Sequence, residues 1–249
     1  MKQNTNKKSF YDKYHEKNDF FFEVIGENNF TYFYIQKALH KVLMKKKIRN
    51  VLDVGCGVGT LGFYLAGKGM NVSCYDISPR AISIANQYKE KSGLKNIEFK
   101  NKDVQQQKFI KTYDLVICTE VIEHLKSDDK MLVTIYKALN KGSFLLLSTP
   151  SVNAPLFRLG LLSEFDFNVG HLRRYKLEEL EEQIKAAGFS IIESNKVESV
   201  VRNSLFTFPI LGNFIRFIKG PFIPLFHFFD SFFTLLFGES DIIVIARKN

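Results

Sequence analysis

The chain has 249 residues, 45% hydrophobic and 24% charged, the balance of an ordinary globular domain long enough to bury a full core. No window reaches 18 uncharged apolar residues, which excludes a transmembrane helix. The three cysteines lack C-x-x-C spacing, which argues against a disulfide framework or a cysteine-based zinc site. Cys56 sits in a glycine turn, and Cys74 and Cys118 in apolar runs. With a polar N-terminus that has no apolar signal core, this reads as a reducing, cytoplasmic setting. The formal charge is +9. Nucleic acid, an anionic membrane surface or an acidic substrate would each exploit it. The basic residues are nevertheless spread out, with 45–47 the one short run.

In chain order, residues 1–19 are polar and basic, with Phe10, Tyr11 and Tyr14 as aromatic points. Phe30, Phe33, Tyr34, Ala38, Val42 and Leu43 recur at helical spacing within 20–47. From residue 51 strands and helices alternate. Strands are expected at 51–54, 71–75, 97–99, 113–118, 144–147, 189–192 and 241–246. Helices are expected near 59–68, from Ser78-Pro79 to Gly93, over 127–140 ending at Gly142, and over 177–187 ending at Gly188. This alternation predicts an α/β protein, a doubly wound, mostly parallel sheet with helices on both faces.

The stretch 51–59, V-L-D-V-G-C-G-V-G, begins as a buried strand, turns on glycines and enters a helix. That is the layout of a nucleotide-type site. A dinucleotide fingerprint would place its third glycine at position 60, which is Thr60, and no Lys-Ser or Lys-Thr pair follows to make a P-loop. Asp76 closes the second apolar run 21 residues after Gly55, where an acid holds a ribose hydroxyl pair. The ligand reads as a nucleoside that needs no pyrophosphate cradle.

D-x-G-C-G-x-G after one strand, with an acid closing the next, resembles motifs I and II of class I S-adenosylmethionine-dependent methyltransferases. The resemblance runs from about residue 48 to the C-terminus. It implies a seven-stranded Rossmann-like sheet whose last strand runs antiparallel between the fifth and sixth. It divides the chain into an N-terminal helical lid (1–47) and a methyltransferase domain (48–249). Tyr11, Tyr14 and His15 become lid residues near the substrate, although a surface helix with aromatic anchors fits them equally. Asp53, Gly55, Cys56, Gly57 and Gly59 would surround the methionine end of S-adenosylmethionine, the Asp53 carboxylate facing its ammonium. Asp76 would take the ribose hydroxyls and Ile77 the adenine face. Asp103 and Val104 would meet the adenine edge, with a plain turn acid as the alternative for Asp103. Thr119 completes this set.

The fourth strand runs into T-E-V-I-E-H-L, residues 119–125. This resembles the segment that follows the same strand in ubiquinone-type O-methyltransferases and in small-RNA 3′-end 2′-O-methyltransferases. Glu120, Glu123 and His124 form a plausible donor set for Mg²⁺ or Zn²⁺. In the RNA enzymes a later histidine completes the metal site, and His171 is the candidate for that place. Without a metal, His124 and His171 fit the general-base role beside Glu120. Arg173, Arg174 and Tyr175 suit an anionic substrate group, or else cap the following helix.

Residues 203–237 form an insert before the last strand, with 11 of the 25 phenylalanines and few charges. Three readings stand: a helical cap that buries its phenylalanines, the wall of an apolar pocket, or a segment dipping into a membrane interface. The function expected is methyl transfer to oxygen on a small or lipid-like acceptor, with peripheral membrane contact as one form of it. An RNA 2′-O-methyltransferase fits less well, because no RNA module or long basic stripe is present. A cofactor-binding scaffold without catalysis is the third reading.

Overall fold

The computed structural model describes residues 25–26, 29–106, 109, 112–208, 211 and 222–249. Helix α1 (Phe33–Lys45) leads into β1 (Asn50–Val54), α2 (Thr60–Gly67), β2 (Asn71–Asp76), α3 (Pro79–Ser92) and β3 (Ile97–Asn101). There follow β4 (Tyr113–Thr119), α4 (Asp128–Ala138), β5 (Leu139–Pro150), and the short helices α5 (Pro155–Arg158) and α6 (Ser163–Val169). The chain closes with α7 (Leu177–Ala186), β6 (Phe189–Val197), α8 (Val200–Thr207), α9 (Phe222–Phe237) and β7 (Asp241–Lys248).

The seven strands make one sheet in the order β3-β2-β1-β4-β5-β7-β6. All pairings are parallel except those of β7, which runs antiparallel to both β5 and β6. The central strands are apolar on both faces, as a sheet covered on both sides demands. Val51, Leu65, Leu115 and Leu146 pack with α1, α2 and α3 on one face. Leu52, Val116, Leu145 and Val244 pack with α4 and α7 on the other.

Two features of this topology place the site. The chain winds outward from β1 to β3 and then restarts at β4, so β1 and β4 bound a crevice at the carboxyl edge of the sheet. Because β7 is reversed, its first residue, Asp241, pairs with Pro150 and Val197 and so arrives at that same edge.

The predicted start of α3 is as expected: the Ser78 hydroxyl accepts from the Ala81 N–H, and Gly93 ends the helix in the left-handed region. Helix α4 differs. It stops at Ala138, not near Gly142, because Leu139 already pairs with Tyr113 and the Lys248 ammonium takes the Tyr136 and Leu139 carbonyls. Gly142 sits within β5, where the register shifts between Tyr113 and Leu115.

Polar cross-links tie α1 to the insert. The buried Arg202 guanidinium donates to the Phe30 and Thr31 carbonyls and to Glu198, and lies over the rings of Phe30 and Tyr34. Asp230 accepts from the Tyr34 and Ser199 hydroxyls. The His227 ring stacks on Phe33 at 3.4 Å between centroids.

Candidate active site

A cavity of about 870 Å³ opens at the carboxyl edge. One half is built by the ends of β1, β2 and β3. Asp53, Gly55, Cys56, Gly57, Asp76, Ile77, Asp103 and Val104 all line it, as does Thr119 from β4. Asp76 joins two elements here: one oxygen accepts the Gly57 N–H and the other the Ser78 N–H, both at 2.8 Å. The glycine turn is therefore fixed by the acid that ends the neighbouring strand. A side chain at Gly57, which has φ +54, would meet no protein atom within 4 Å, so the backbone is open to a ligand. Asp103 both holds its own turn, through Gln105 N–H and Gln106 Nε2, and faces the cavity.

Gly59, expected at the ligand, does not line the cavity. It is the N-cap of α2 with φ +87, and a Cβ there would lie 2.4 Å from the Phe99 ring. Its role is packing.

Asp53 is buried, and burial, with Asp76 adding, pushes its carboxyl up to about 7. A cation brought against it would hold it ionised. An ammonium is thus the group this position favours, and a nucleoside carrying an amino-acid tail fits the open turn, Asp53, Asp76 and Asp103 together.

The second half is built from β4 onward. Glu120, His124 and His171 line it, whereas Glu123 is fully buried off the lining, and its Oε2 accepts from the Thr149 hydroxyl. Its Oε1 has no partner among the described residues. His124 Nε2 lies 3.5 Å from that oxygen and His171 Nε2 3.9 Å. The other ring nitrogens are occupied: His124 Nδ1 by the Gly170 carbonyl at 3.0 Å, His171 Nδ1 by Asp166 at 2.9 Å. A carbonyl and a carboxylate only accept, so both Nδ1 atoms carry a hydrogen, and both Nε2 atoms turn toward Glu123. Among the described residues only Glu123, His124 and His171 bring three ligand atoms within 4.8 Å of one another. Three ligand atoms this close suit a cation between them, a metal ion or a proton, and burial, then Glu120, push the Glu123 carboxyl well above its ordinary range.

Asp166 in turn is held by Arg174 at 2.6 Å. Burial pushes the Asp166 carboxyl up, but the hydrogen bonds from His171 and Arg174 outweigh this and hold it down at about 2. A histidine oriented by a carboxylate through its far nitrogen is the usual support of a metal ligand.

Glu120, expected among the metal ligands, lies outside this group. Its carboxylate accepts from the Ser148 hydroxyl at 2.6 Å and opens to the cavity. Arg173 and Tyr175, expected at the substrate, do not line the cavity. Both bond to Asp128 in the first turn of α4, and Tyr175 is buried. The shared acid ties both side chains to α4. Arg174 does line the cavity, but on the arm of Asp166. Tyr11, Tyr14 and His15 lie outside the described residues, while Thr31, Tyr32 and Ile35 of the N-terminal region line the cavity.

Sequence reasoning missed Glu198, Asp241, Ser240, Asn203 and Phe206, which line the same half. Glu120 and Glu198 are the two non-glycine residues with positive φ among the described residues, at 54° and 62°. Strain of this kind gathers at functional sites. Burial, then Glu120 and Glu198, push the Asp241 carboxyl well above its ordinary range. One signal was available: an acid at the carboxyl edge after the sixth strand, and another opening the seventh.

Residues 28–194 match the family described as a methyltransferase domain. The match covers most of the chain, and the chain belongs to that family. The ubiquinone biosynthesis O-methyltransferase of Rickettsia canadensis (strain McKiel) is 31% identical over 113 residues, 45% of this chain and 48% of that protein. That of Rickettsia conorii (strain ATCC VR-613 / Malish 7) is 31% identical over 45% of this chain and 39% of its own length. The chain thus spans about half, or less, of these curated relatives. Magnesium protoporphyrin IX methyltransferase from Synechocystis PCC 6803, solved with S-adenosyl-l-homocysteine, superposes with a TM-score of 0.67 at 17% identity, covering 98% of this chain and 99% of that one. The N-methyltransferase NodS from Bradyrhizobium japonicum WM9, with the same ligand, gives 0.61 at 16%, covering 95% and 97%. These likenesses establish a Rossmann-like methyltransferase fold.

Proposed function

We propose that the protein is an S-adenosylmethionine-dependent methyltransferase that methylates a hydroxyl of a small or lipid-like acceptor, with a divalent ion held by Glu123, His124 and His171. The observation that carries the reading is the two-part cavity. A nucleoside-and-ammonium half meets, across Thr119 and Glu120, a half lined by His124 and His171, whose ring nitrogens converge with the buried Glu123. S-adenosylmethionine, when bound, supplies a sulfonium methyl open to in-line attack, and a divalent ion would lower the pKa of a coordinated hydroxyl.

The chain's residues do the rest. Asp53 faces the ammonium, Asp76 the ribose, and Asp103 with Ile77 the adenine. The Asp166–His171 and Gly170–His124 hydrogen bonds engage both Nδ1 atoms and turn both Nε2 atoms toward Glu123, placed to ligate or to take the acceptor's proton. Thr31, Tyr32 and Ile35 close the cavity from α1 and the segment before it, which limits water around the methyl group. Oxygen as the target is supported by the names of the Rickettsia relatives, and a lipid-like acceptor by the Phe165 and Phe206 walls.

Calorimetric titration with S-adenosylhomocysteine, after chelation and with Mg²⁺ or Zn²⁺ restored, tests this. Micromolar binding plus a separate stoichiometric metal site that Glu123→Ala abolishes is the expected result. Absence of cofactor binding rejects the whole reading. Binding with no metal site moves the proton to a histidine base.

A further inference from the structure

Helix α9 packs Phe226 on Phe30 yet turns its wider apolar face outward. Leu225, Phe228, Phe229, Phe232, Leu235 and Leu236 recur at helical spacing and form one face. All of them are exposed, Phe228 at 68% and Leu235 at 83%. The face turned inward carries the polar residues, with His227 at 5% and Asp230 at 1%. Asp230 is tied to Tyr34 and Ser199, and His227 is stacked on Phe33. These contacts lock the rotation, so the aromatic face cannot turn inward.

The exposed apolar surface continues around the acceptor half of the cavity. Phe157, Leu159, Leu161 and Phe167 are exposed on α5, α6 and the loop between them. The Arg158 guanidinium reaches the Phe237 carbonyl at 3.5 Å, which joins α5 to the end of α9. Phe165 and Val169 of α6, with Asn203 and Phe206 of α8, line the cavity itself. The family match ends at residue 194, before α8, α9 and β7.

We propose that α9, with the exposed edge of α5 and α6, is a docking surface for an anionic lipid bilayer, and that it sets the acceptor end of the cavity against the headgroup layer. The proposal rests on the lipid-like acceptor argued above. An exposed apolar face this wide is not that of a freely solvated helix. The helix has 16 residues, and none among the described residues is long and apolar enough to cross a membrane, so it lies in the interface plane. No charge stands on its outer face. Lys37, close enough to His227 to depress its pKa, and Arg158 flank it, and the chain as a whole carries +9. That charge complements an anionic surface.

The test is flotation of the full chain with phosphatidylcholine vesicles, with and without phosphatidylglycerol, alongside S-adenosylhomocysteine titration. The wild type should float with the anionic vesicles, and Phe228→Asp/Leu235→Asp should lower partitioning by at least about tenfold, since two large apolar groups leave the interface. Cofactor binding should be unchanged in that variant. The chain has no tryptophan, so Phe232→Trp gives a direct probe whose emission should shift to the blue on adding vesicles. A wild type that stays with the soluble fraction, an unshifted emission, or a double variant that floats like the wild type overturns the proposal. So does sedimentation showing a dimer that the double variant dissolves without any vesicle binding. Vesicle binding without cofactor binding would reject the methyltransferase reading and leave the docking surface standing.

Discussion

The two halves of the cavity are made in different ways. In the cofactor half, Asp53, Gly57, Asp76 and Asp103 come from about 50 consecutive residues, and backbone N–H groups fix their geometry. The other half is lined by His171, Glu198 and Asp241 and backed by Glu123, Thr149 and Asp166, drawn from across the second half of the chain and held together by side chains. The first kind of site is local and readable from spacing. The second exists only once β5, α6 and the reversed β7 have met at one edge. Damage should therefore spread differently in the two halves.

The largest effect is expected in the cofactor half. Asp76→Ala removes the acceptor for two backbone N–H groups together with the ribose contact. S-adenosylhomocysteine affinity should fall by about two to three orders of magnitude, at the upper end of what a few charge-assisted hydrogen bonds supply. A loss under about tenfold by calorimetry would mean that the turn stands without its acid. His171→Ala should separate the halves: methyl transfer falls by about 10²–10⁴-fold while cofactor binding holds. An unchanged rate removes that histidine from the chemistry.

Asp53 links the cofactor half to pH. Its carboxyl rises from 3.8 in the open chain to about 7 when folded, so the folded protein retains a proton that the unfolded chain has lost. Stability of the unliganded protein should then fall as pH rises from about 4 to about 7 and level off above that. Cofactor affinity should move the opposite way and rise towards pH 8, since the ammonium favours ionised Asp53. Asp53→Asn should flatten both profiles and raise the unliganded melting temperature at pH 8, a gain on the order of a few kcal/mol. A wild-type affinity flat from pH 6 to 8 breaks this account. The smallest effect belongs to the residue moved out of the site. Arg173→Ala should cost about 1 kcal/mol through its half-exposed pair with Asp128 and leave both titrations unaltered. A changed acceptor rate would return it to the substrate.

The strand–helix alternation, the glycine turn and the acids closing β2 and β3 were legible because each is a short-range pattern with one structural meaning. Glu123, His124 and His171 were legible as residue types, but Glu120 was grouped with them by adjacency alone. The chain leaves β4 through a positive-φ residue and a short 3₁₀ turn at Ile122–His124, which sends Glu120 to Ser148 and Glu123 inward to Thr149. Arg173 and Tyr175 were misplaced because the spacing of basic residues says nothing about Asp128, some 45 positions away, which claims them both.

By itself the sequence determined the class of sheet and the glycine turn and acids that line one half of the cavity at its carboxyl edge, since periodicity and turn chemistry act over a few residues. Only the tertiary structure decided which carboxylate joins the two histidines, that Asp241 and Glu198 face the cavity, and that α9 turns Phe228, Phe229 and Phe232 outward. Those outcomes depend on which buried polar groups find partners across the fold. Asp230 and His227 won the inward face of α9 because Tyr34, Ser199 and Phe33 were there to receive them.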